Sequence, residues 1–367
     1  MSTQKCTLMR LRSILLLLLA AAGCSRTPQA ALPRAVEYLW SQQANDGGWH
    51  SRTYGLLRSG QALTPFVLDA LLQVPPSVYP QQAGRAARAI TFIAGNLRAE
   101  GALGLADSIP DYPNYSTALA VSALSRARRG TWQALVQRMA AYLRTQQFTE
   151  HNGWRREHPV YGAWGMGGER RTPPDTGHVD LSMTRYVLQA LRAAGVPATD
   201  PLFASARVFV ERCQNFDPQH PDSEDGGFFF STTEFDTNKA GADGQHFRSY
   251  GTTTADGILA LLAVGSALTD ARLIAARRWL TSHHSGMAVP GFVGEAYQRW
   301  PQGLAFYYAA SSHEAFQAVG VAAGPSVTDA LKRTQRADGS WANPEKLVKE
   351  DDPLIATAFA VRALLEN

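Results

Sequence analysis

The sequence is poor in charge and in cysteine. Charged residues make up 18% of the 367 positions and apolar residues 45%, a composition that excludes a disordered chain. Cys6 and Cys24 lie near the N-terminus and Cys213 stands alone, so neither a disulfide framework nor a cysteine-rich zinc cluster is available. The formal net charge is only +4, whereas a nucleic-acid partner would call for a basic face. What remains is a globular, core-forming chain.

The basic excess is concentrated at the N-terminus. Lys5, Arg10 and Arg12 precede an apolar run over residues 14–22, which is too short for a stable membrane span and is typical of a secretory signal. We therefore predict a signal peptide over residues 1–23. This segment holds three basic residues and no acidic one, so the rest of the chain is nearly neutral.

The predicted signal ends in small residues followed by a cysteine. Ala21, Ala22 and Gly23 before Cys24 resemble the lipobox of bacterial lipoproteins, in which the cysteine is acylated. The resemblance implies lipidation at Cys24, a membrane partner, a tether over residues 24–32 and a location in the bacterial cell envelope, on the extracytoplasmic side. A plain signal peptide with Cys24 as a bystander is the alternative. No cofactor and no nucleic-acid partner are predicted.

A motif of the form Q-x-x-D-G-x-W recurs along the chain. Looser copies run from Gln147 to Trp154 and from Gln214 to Phe228, and each copy follows a stretch of helical periodicity. We expect the glycine to end a helix, the tryptophan to pack against the next repeat and the glutamine to bond to neighbouring backbone. The two close copies comprise Gln43, Asp46, Gly47 and Trp49, and Gln335, Asp338, Gly339 and Trp341.

Helices of two kinds alternate between these motifs. One kind is rich in alanine and small polar residues, which lets helices pack closely, and the other carries a single apolar stripe. This alternation predicts an all-α (α/α)6 toroid of six inner and six outer helices over residues 33–367. The long connections 148–179 and 215–248 precede adjacent inner helices, and long loops are commonly functional. Inner helices are expected to start at Thr64, Asn114, Asp180, Ser249, Phe306 and Asp352, and outer helices near Pro33, Gln81, Trp132, Pro201, Asp270 and Pro325.

The motif copies resemble the QW repeats of squalene–hopene cyclases and of protein prenyltransferase β-subunits. The resemblance implies the same toroid that the helix pattern predicts. The catalytic residues of those enzymes do not carry over, because the chain has no D-x-D-D acid motif and no cysteine follows Asp243 where a zinc thiolate is expected. The chain also matches only one of the two α-domains of a full cyclase.

Two short clusters could still carry chemistry. Asp175, His178 and Asp180 precede the third inner helix, and Asp243 and His246 precede the fourth. Histidine with carboxylates can form an acid/base pair or ligate a metal. We predict Asp175, His178, Asp180 and His246 as catalytic candidates, and His178, Asp180, Asp243 and His246 as weak metal ligands. In the alternative interpretation Asp180 only caps its helix and the histidines line a polar loop.

Aromatic residues near the starts of the inner helices point to a ligand cavity. In the resembled enzymes such rings line the lumen and stabilise carbocations through their negative faces, although rings in a large helical domain can equally be core. The candidates are Tyr115, Trp164, Tyr250, Trp300, Tyr307 and Tyr308.

Three functions are compatible with these features. The first is an exported, lipid-anchored protein that binds an apolar, isoprenoid-like ligand or a protein partner without the chemistry of the resembled enzymes. The second is an enzyme of altered chemistry on a lipid or terpenoid. The third is a glycan hydrolase or lyase, since carboxylate pairs can cleave glycosidic bonds.

Overall fold

The computed structural model describes residues 30–105, 108–127, 130–233, 238–244, 246–322 and 326–365. Residues 31–367 cluster as one compact unit. The predicted signal peptide, Cys24 and most of the predicted tether lie outside the described residues, as does Pro325. No helix in the described ranges is both long and apolar enough to cross a bilayer.

Six helices form a closed inner ring. Their bounds are α2 Leu63–Leu72, α4 Pro113–Arg126, α6 Leu181–Ala193, α8 Gly251–Ala263, α11 Ala305–Ala318 and α13 Pro353–Ala363. Each packs against the next, and α13 packs against α2. Twelve of the 13 residues of α8 are buried, as expected for a helix with neighbours on every side.

Six further helices lie outside this ring. Their bounds are α1 Ala31–Ser41, α3 Ala83–Gly95, α5 Gln133–Thr145, α7 Pro201–Arg212, α9 Ala271–His283 and α12 Ser326–Thr334. Most bury a single stripe; α3, for example, buries Ala89, Ile90 and Ile93. The described elements also include the short helix α10 (Trp300–Gly303), the two-residue strands β1 (Ala242–Asp243) and β2 (His246–Phe247), and several one-turn 3-10 helices. The predicted all-α toroid is confirmed.

A recurrent hydrogen-bond arrangement, here called the glutamine latch, joins successive outer helices. In each latch the glutamine Nε2 donates to the carbonyl of a glycine with positive φ and to a carbonyl at the start of the next outer helix. Gln43 reaches Arg85 in this way at 2.9 Å, and Gln335 reaches Ala31 at 2.8 Å, which joins the last outer helix to the first. Gln147 reaches Leu202 and Gln214 reaches Arg272.

The same motif fixes the inner helix that follows it. The backbone N–H of the motif's aromatic residue donates to a threonine hydroxyl on that helix. The pairs are Trp49 with Thr64, Trp164 with Thr184, Phe228 with Thr254, and Trp341 with Thr357. Each motif therefore positions one inner helix against two outer ones.

The third repeat departs from the prediction. Gln147 bonds to Gly162, and Trp164 donates its indole N–H to Leu143 as Trp49 does to Leu39. The tryptophan of this repeat is therefore Trp164 and not Trp154, because an insertion separates the glutamine from its glycine. Trp164 is fully buried in the core.

The latch glycines have no room for a side chain. Gly162 has φ +89°, and a Cβ there would lie 1.9 Å from the Ser205 carbonyl oxygen of the next outer helix. Gly195 has a similar φ of +84° but open space around it. A comparison of substitutions at Gly162 and Gly195 therefore separates the cost of backbone strain from the cost of steric clash.

We predict that Gly162→Ala lowers the free energy of unfolding by about 2–5 kcal/mol, because left-handed strain adds to overpacking. Gly195→Ala, the control, is expected to lose only the strain, about 1–2 kcal/mol. Thermal and urea unfolding followed by circular dichroism measure both. Equal losses in the two variants would contradict the packing role of Gly162.

Candidate functional site

The lumen of the ring holds two cavities. The first, here called the N-terminal cavity, has a volume of about 420 Å³ and lies among the N-terminal halves of the inner helices. Its wall is mostly apolar and aromatic. It is formed by Leu57, Ala62, Leu63, Phe66, Tyr112, Tyr115, Leu119, Met166, His178, Asp180, Ser182, Tyr186, Phe230, Lys239, Leu304, Tyr307, Leu347, Val348, Lys349, Glu350, Ile355 and Phe359.

Two of the six predicted aromatic residues lie in this wall, Tyr115 and Tyr307. Burial raises the pKa of both phenols well above the ordinary value, so both hydroxyls stay protonated and can donate hydrogen bonds. Trp164, Tyr250, Trp300 and Tyr308 lie outside the wall. Tyr250 packs on Phe292, Trp300 stacks on the same ring, and the Tyr308 hydroxyl contacts His284 Nδ1 at 2.8 Å.

The predicted His178 and Asp180 come together in the cavity wall. His178 Nε2 lies 2.8 Å from Asp180 Oδ2, a contact that requires a proton between the two atoms. Asp180 Oδ1 also accepts the backbone N–H of Met183 at 2.7 Å and so caps α6. The capping role and the acid/base pairing are therefore combined in one side chain.

The other predicted rim residues do not join this pair. Asp175 is exposed and pairs with Arg171, and Asp243 pairs with Arg248 at 3.1 Å. His246 is exposed on β2 opposite Asp243. Among the residues that the structure describes, no three histidine, cysteine or acidic side chains lie close enough to hold a metal ion. The two clusters therefore do not converge on a metal centre.

Glu350 is a second carboxylate in the wall. It accepts hydrogen bonds from the backbone N–H groups of Phe306 and Tyr307, at the start of α11, and from the Asn343 side chain. Burial raises the pKa of Glu350 to about 7, although these three donors favour the charged form. A carboxyl that titrates near neutral pH thus faces an apolar cavity.

Asp256, on α8, lies behind the wall and is fully buried. Ser182 and Tyr307, which both line the cavity, donate to its Oδ2 at 2.6 Å. Its Oδ1 has no hydrogen-bond partner among the described residues. Burial raises the pKa of Asp256 to about 6, against the opposing effect of Arg185.

A buried charged network, here called the partition, lies below the N-terminal cavity. Arg185 is fully buried and donates to Glu314, and its Nε lies 3.8 Å from Asp256 Oδ1. Arg362 also donates to Glu314, at 2.9 Å. Burial raises the pKa of Glu314, but Arg185 and Arg362 outweigh it and lower the pKa to about 2.

Below the partition lies the second, C-terminal cavity, of about 1020 Å³, among the C-terminal halves of the inner helices. Leu119 and Tyr186 line both cavities and so form part of the division between them. The wall of the C-terminal cavity is largely polar, and its Arg126, Arg192 and Arg362 lie in last turns of inner helices, where cations offset the helix dipole. The lumen thus has one apolar and one polar end.

The sequence analysis missed Glu350, Asp256 and Arg185 as parts of the site. For Asp256 and Arg185 a signal was available, because each is a charged residue within a predicted inner helix, where burial requires a partner. No comparable signal marks Glu350, since its donors are 7 to 44 positions away in the sequence.

The closed double ring of helices is a terpenoid-cyclase fold, and several solved structures have the same fold. The type II terpene cyclase MstE from Scytonema matches with a TM-score of 0.59 at 15% identity, over 91% of this chain and 96% of that chain. A variant of MstE in complex with its substrate geranylgeranyl dihydroxybenzoate matches with a TM-score of 0.54 at 13% identity, over 91% and 95%. A protein from Actinoplanes matches with a TM-score of 0.54 at 14% identity, over 91% and 97%. No family model and no curated protein matches the sequence.

We predict a pH dependence that belongs to Asp256. Its folded pKa, about 6, lies above the ordinary value of 3.8, so the native state holds the proton more tightly. The resulting stabilisation, about 3 kcal/mol, is full below pH 4 and is lost as the pH rises through about 6. Asp256→Asn removes this dependence, so its unfolding free energy relative to the wild type should rise between pH 4 and pH 7. Urea unfolding at both pH values measures the difference.

Asp222→Asn is the control, because this carboxyl is almost fully exposed. Its difference from the wild type should be nearly constant over the same range. If the unfolding free energy of Asp256→Asn relative to the wild type were also constant between pH 4 and pH 7, the prediction that folding raises the pKa of Asp256 would be wrong.

Proposed function

We propose that this chain binds an apolar, isoprenoid-like small molecule in the N-terminal cavity. The observation that carries the proposal is the wall of that cavity, in which aromatic and aliphatic side chains surround a few polar groups. A glycan would leave many hydroxyls without partners against such a wall, so the wall favours an apolar ligand over a sugar. A protein partner would meet only the rim of a cavity enclosed by the ring.

The comparisons are compatible with this choice. MstE, at 15% identity or less, binds geranylgeranyl dihydroxybenzoate, a molecule with a long isoprenoid chain. We take the present chain to be a single-toroid relative of the QW-repeat proteins, on the grounds of its motif copies and of the latches that they form. It lacks the D-x-D-D motif, so its activity need not be that of MstE or of the other QW-repeat enzymes.

We also propose that the toroid, over residues 33–367, works in the bacterial cell envelope. The basic residues and the apolar run of residues 1–23 support a signal peptide, and Ala21, Ala22 and Gly23 before Cys24 support a lipid anchor. Replacement of Cys24 by Ala should leave the protein unacylated, as measured by mass spectrometry of the mature protein from the membrane fraction. Unchanged acylation would refute the anchor.

A bulky side chain in the N-terminal cavity should prevent binding. Val348 reaches the wall from a loop, so Val348→Trp is expected to fill part of the cavity and weaken farnesol binding by about tenfold or more, equivalent to 1.4 kcal/mol or more. Isothermal titration with farnesol measures the affinity. Ala318→Trp, in the wall of the C-terminal cavity, is the control and should bind farnesol as the wild type does.

The proposal fails if organic extracts of the purified protein contain no apolar molecule and farnesol does not raise its melting temperature. It also fails if the two tryptophan variants lose the same affinity, since binding would then not be specific to the N-terminal cavity.

A second candidate function is acid-initiated chemistry on the bound isoprenoid. It is favoured by the contact between His178 and Asp180, which holds a proton at the wall of an apolar cavity. Transfer of that proton from Asp180 to a carbon–carbon double bond would form a C–H bond and leave a carbocation. Tyr115, Tyr307 and Phe359 in the same wall could stabilise the cation through their ring faces.

We predict that Asp180→Asn abolishes such a reaction without unfolding the protein, because asparagine caps a helix as well as aspartate but cannot donate this proton. Incubation with farnesol in D2O, followed by mass spectrometry, detects deuterium in the product. Asp270→Asn, which exchanges the cap of α9 far from the cavity wall, is the control and should keep the activity. Deuterium incorporation by Asp180→Asn at the wild-type rate would exclude Asp180 as the acid.

A further inference from the structure

Two residues in the wall of the N-terminal cavity have unusual backbones. Tyr112 has φ +45° and Lys349 has φ +66°, and no other non-glycine residue in the described ranges has a positive φ. Left-handed conformations cost energy for residues with a Cβ, and they persist where surrounding contacts hold them, often at functional sites. Tyr112 precedes α4, whereas Lys349 lies in the loop before α13, so the two strained residues come from distant repeats.

These two side chains contact each other. Lys349 Nζ donates to the Tyr112 hydroxyl at 3.1 Å, and it lies 5.6 Å and 5.7 Å from the ring centres of Tyr112 and Tyr54. The ammonium group forms no ion pair with any carboxylate that the structure describes. The Tyr54 hydroxyl is already occupied, because it donates to Asp351. A lysine ammonium has three donors, so Lys349 has donors left for a ligand.

The other charges of the wall favour an anion near Lys349. Lys239 is a second ammonium in the same wall, 3.3 Å from the ring centre of Phe230. Of the two acidic residues, Asp180 is bonded to His178 and Glu350 accepts three N–H donors. Both carboxylates therefore have their own partners, while the ammonium of Lys349 has a hydroxyl and two ring faces.

We propose that Lys349, held by Tyr112, binds the anionic head group of an amphiphile whose apolar chain occupies the N-terminal cavity. The head group is a carboxylate or a phosphate, since either accepts charge-assisted hydrogen bonds from an ammonium group. This inference rests on the proposed function, because it needs an apolar ligand in that cavity. It adds which end of the ligand is recognised and by which residue.

The test compares three molecules with the same isoprenoid chain: farnesol, farnesoic acid and farnesyl phosphate. The full-length protein should bind one or both anions about tenfold more tightly than the alcohol, the gain typical of a hydrogen bond to a charged group. The preferred anion identifies the head group. The preference should shrink as salt concentration rises.

Lys349→Asn and Lys349→Gln should lose this preference, so that the two anions bind no more tightly than farnesol does. Asparagine tolerates the left-handed backbone, so Lys349→Asn should melt at or above the wild-type temperature. Tyr112→Phe, which removes the hydroxyl that holds Nζ, should lose part of the preference. Lys346→Gln is the matched control, since Lys346 is an exposed lysine of the same loop and lies outside the cavity wall.

Equal affinity of the wild-type protein for all three molecules would overturn this inference and leave the proposed function intact. A loss of stability and of farnesol binding in Lys349→Asn would overturn it too, because Lys349 would then be structural. Failure of all three molecules to bind would overturn the proposed function itself.

Discussion

Four glutamine latches join successive outer helices and so help to close the ring around the lumen. Each latch ties one outer helix to the start of the next through a single amide group, and the aromatic residue of the same motif bonds to a threonine on the inner helix. Gln335 bonds to Ala31 at 2.8 Å, so the last repeat is joined to the first. An open chain of helical hairpins would leave its first and last inner helices with an uncovered face. Closure buries both faces and encloses the space that forms the two cavities.

Closure has a chemical consequence for the two ends of the lumen. The N-terminal halves of the inner helices border one cavity and the C-terminal halves border the other, so partial positive and negative charges collect at opposite ends. Acidic residues offset the partial positive charges, with Asp180 and Asp352 as helix caps and Glu350 at the start of α11. Arginines offset the partial negative charges at the other end. The helix dipoles thus account for much of the charge in both cavities. Lys349 and Lys239 do not fit this scheme, because both are cations at the positive end.

The repeats made the fold predictable, because a period recorded in the sequence reports on local structure that is copied six times. The predicted helix starts lie within two residues of the observed ones in all six repeats. The predicted tryptophan of the third repeat was wrong, since an insertion separates Gln147 from Gly162 and places Trp154 at the spacing that the motif leads one to expect. Periodicity cannot tell which of two tryptophans follows the glycine that accepts the glutamine bond.

The site was predictable only where its parts are close in sequence. The His178–Asp180 contact joins residues two positions apart, so a short motif was enough to indicate it. The contacts of Asp256 with Ser182 and Tyr307, and of Lys349 with Tyr112, span 51 to 237 positions. Those of Asp256 join neighbouring inner helices, whereas the contact of Lys349 joins the last repeat to the second.

These long-range contacts come from different repeats and converge on one cavity, which no single repeat could form. Repetition therefore explains the scaffold, whereas the chemistry of the site lies in the residues by which the repeats differ. The binding specificity of this toroid should accordingly be sought in Lys349, Tyr112, Glu350 and Asp256 rather than in the latch residues that four of the repeats share.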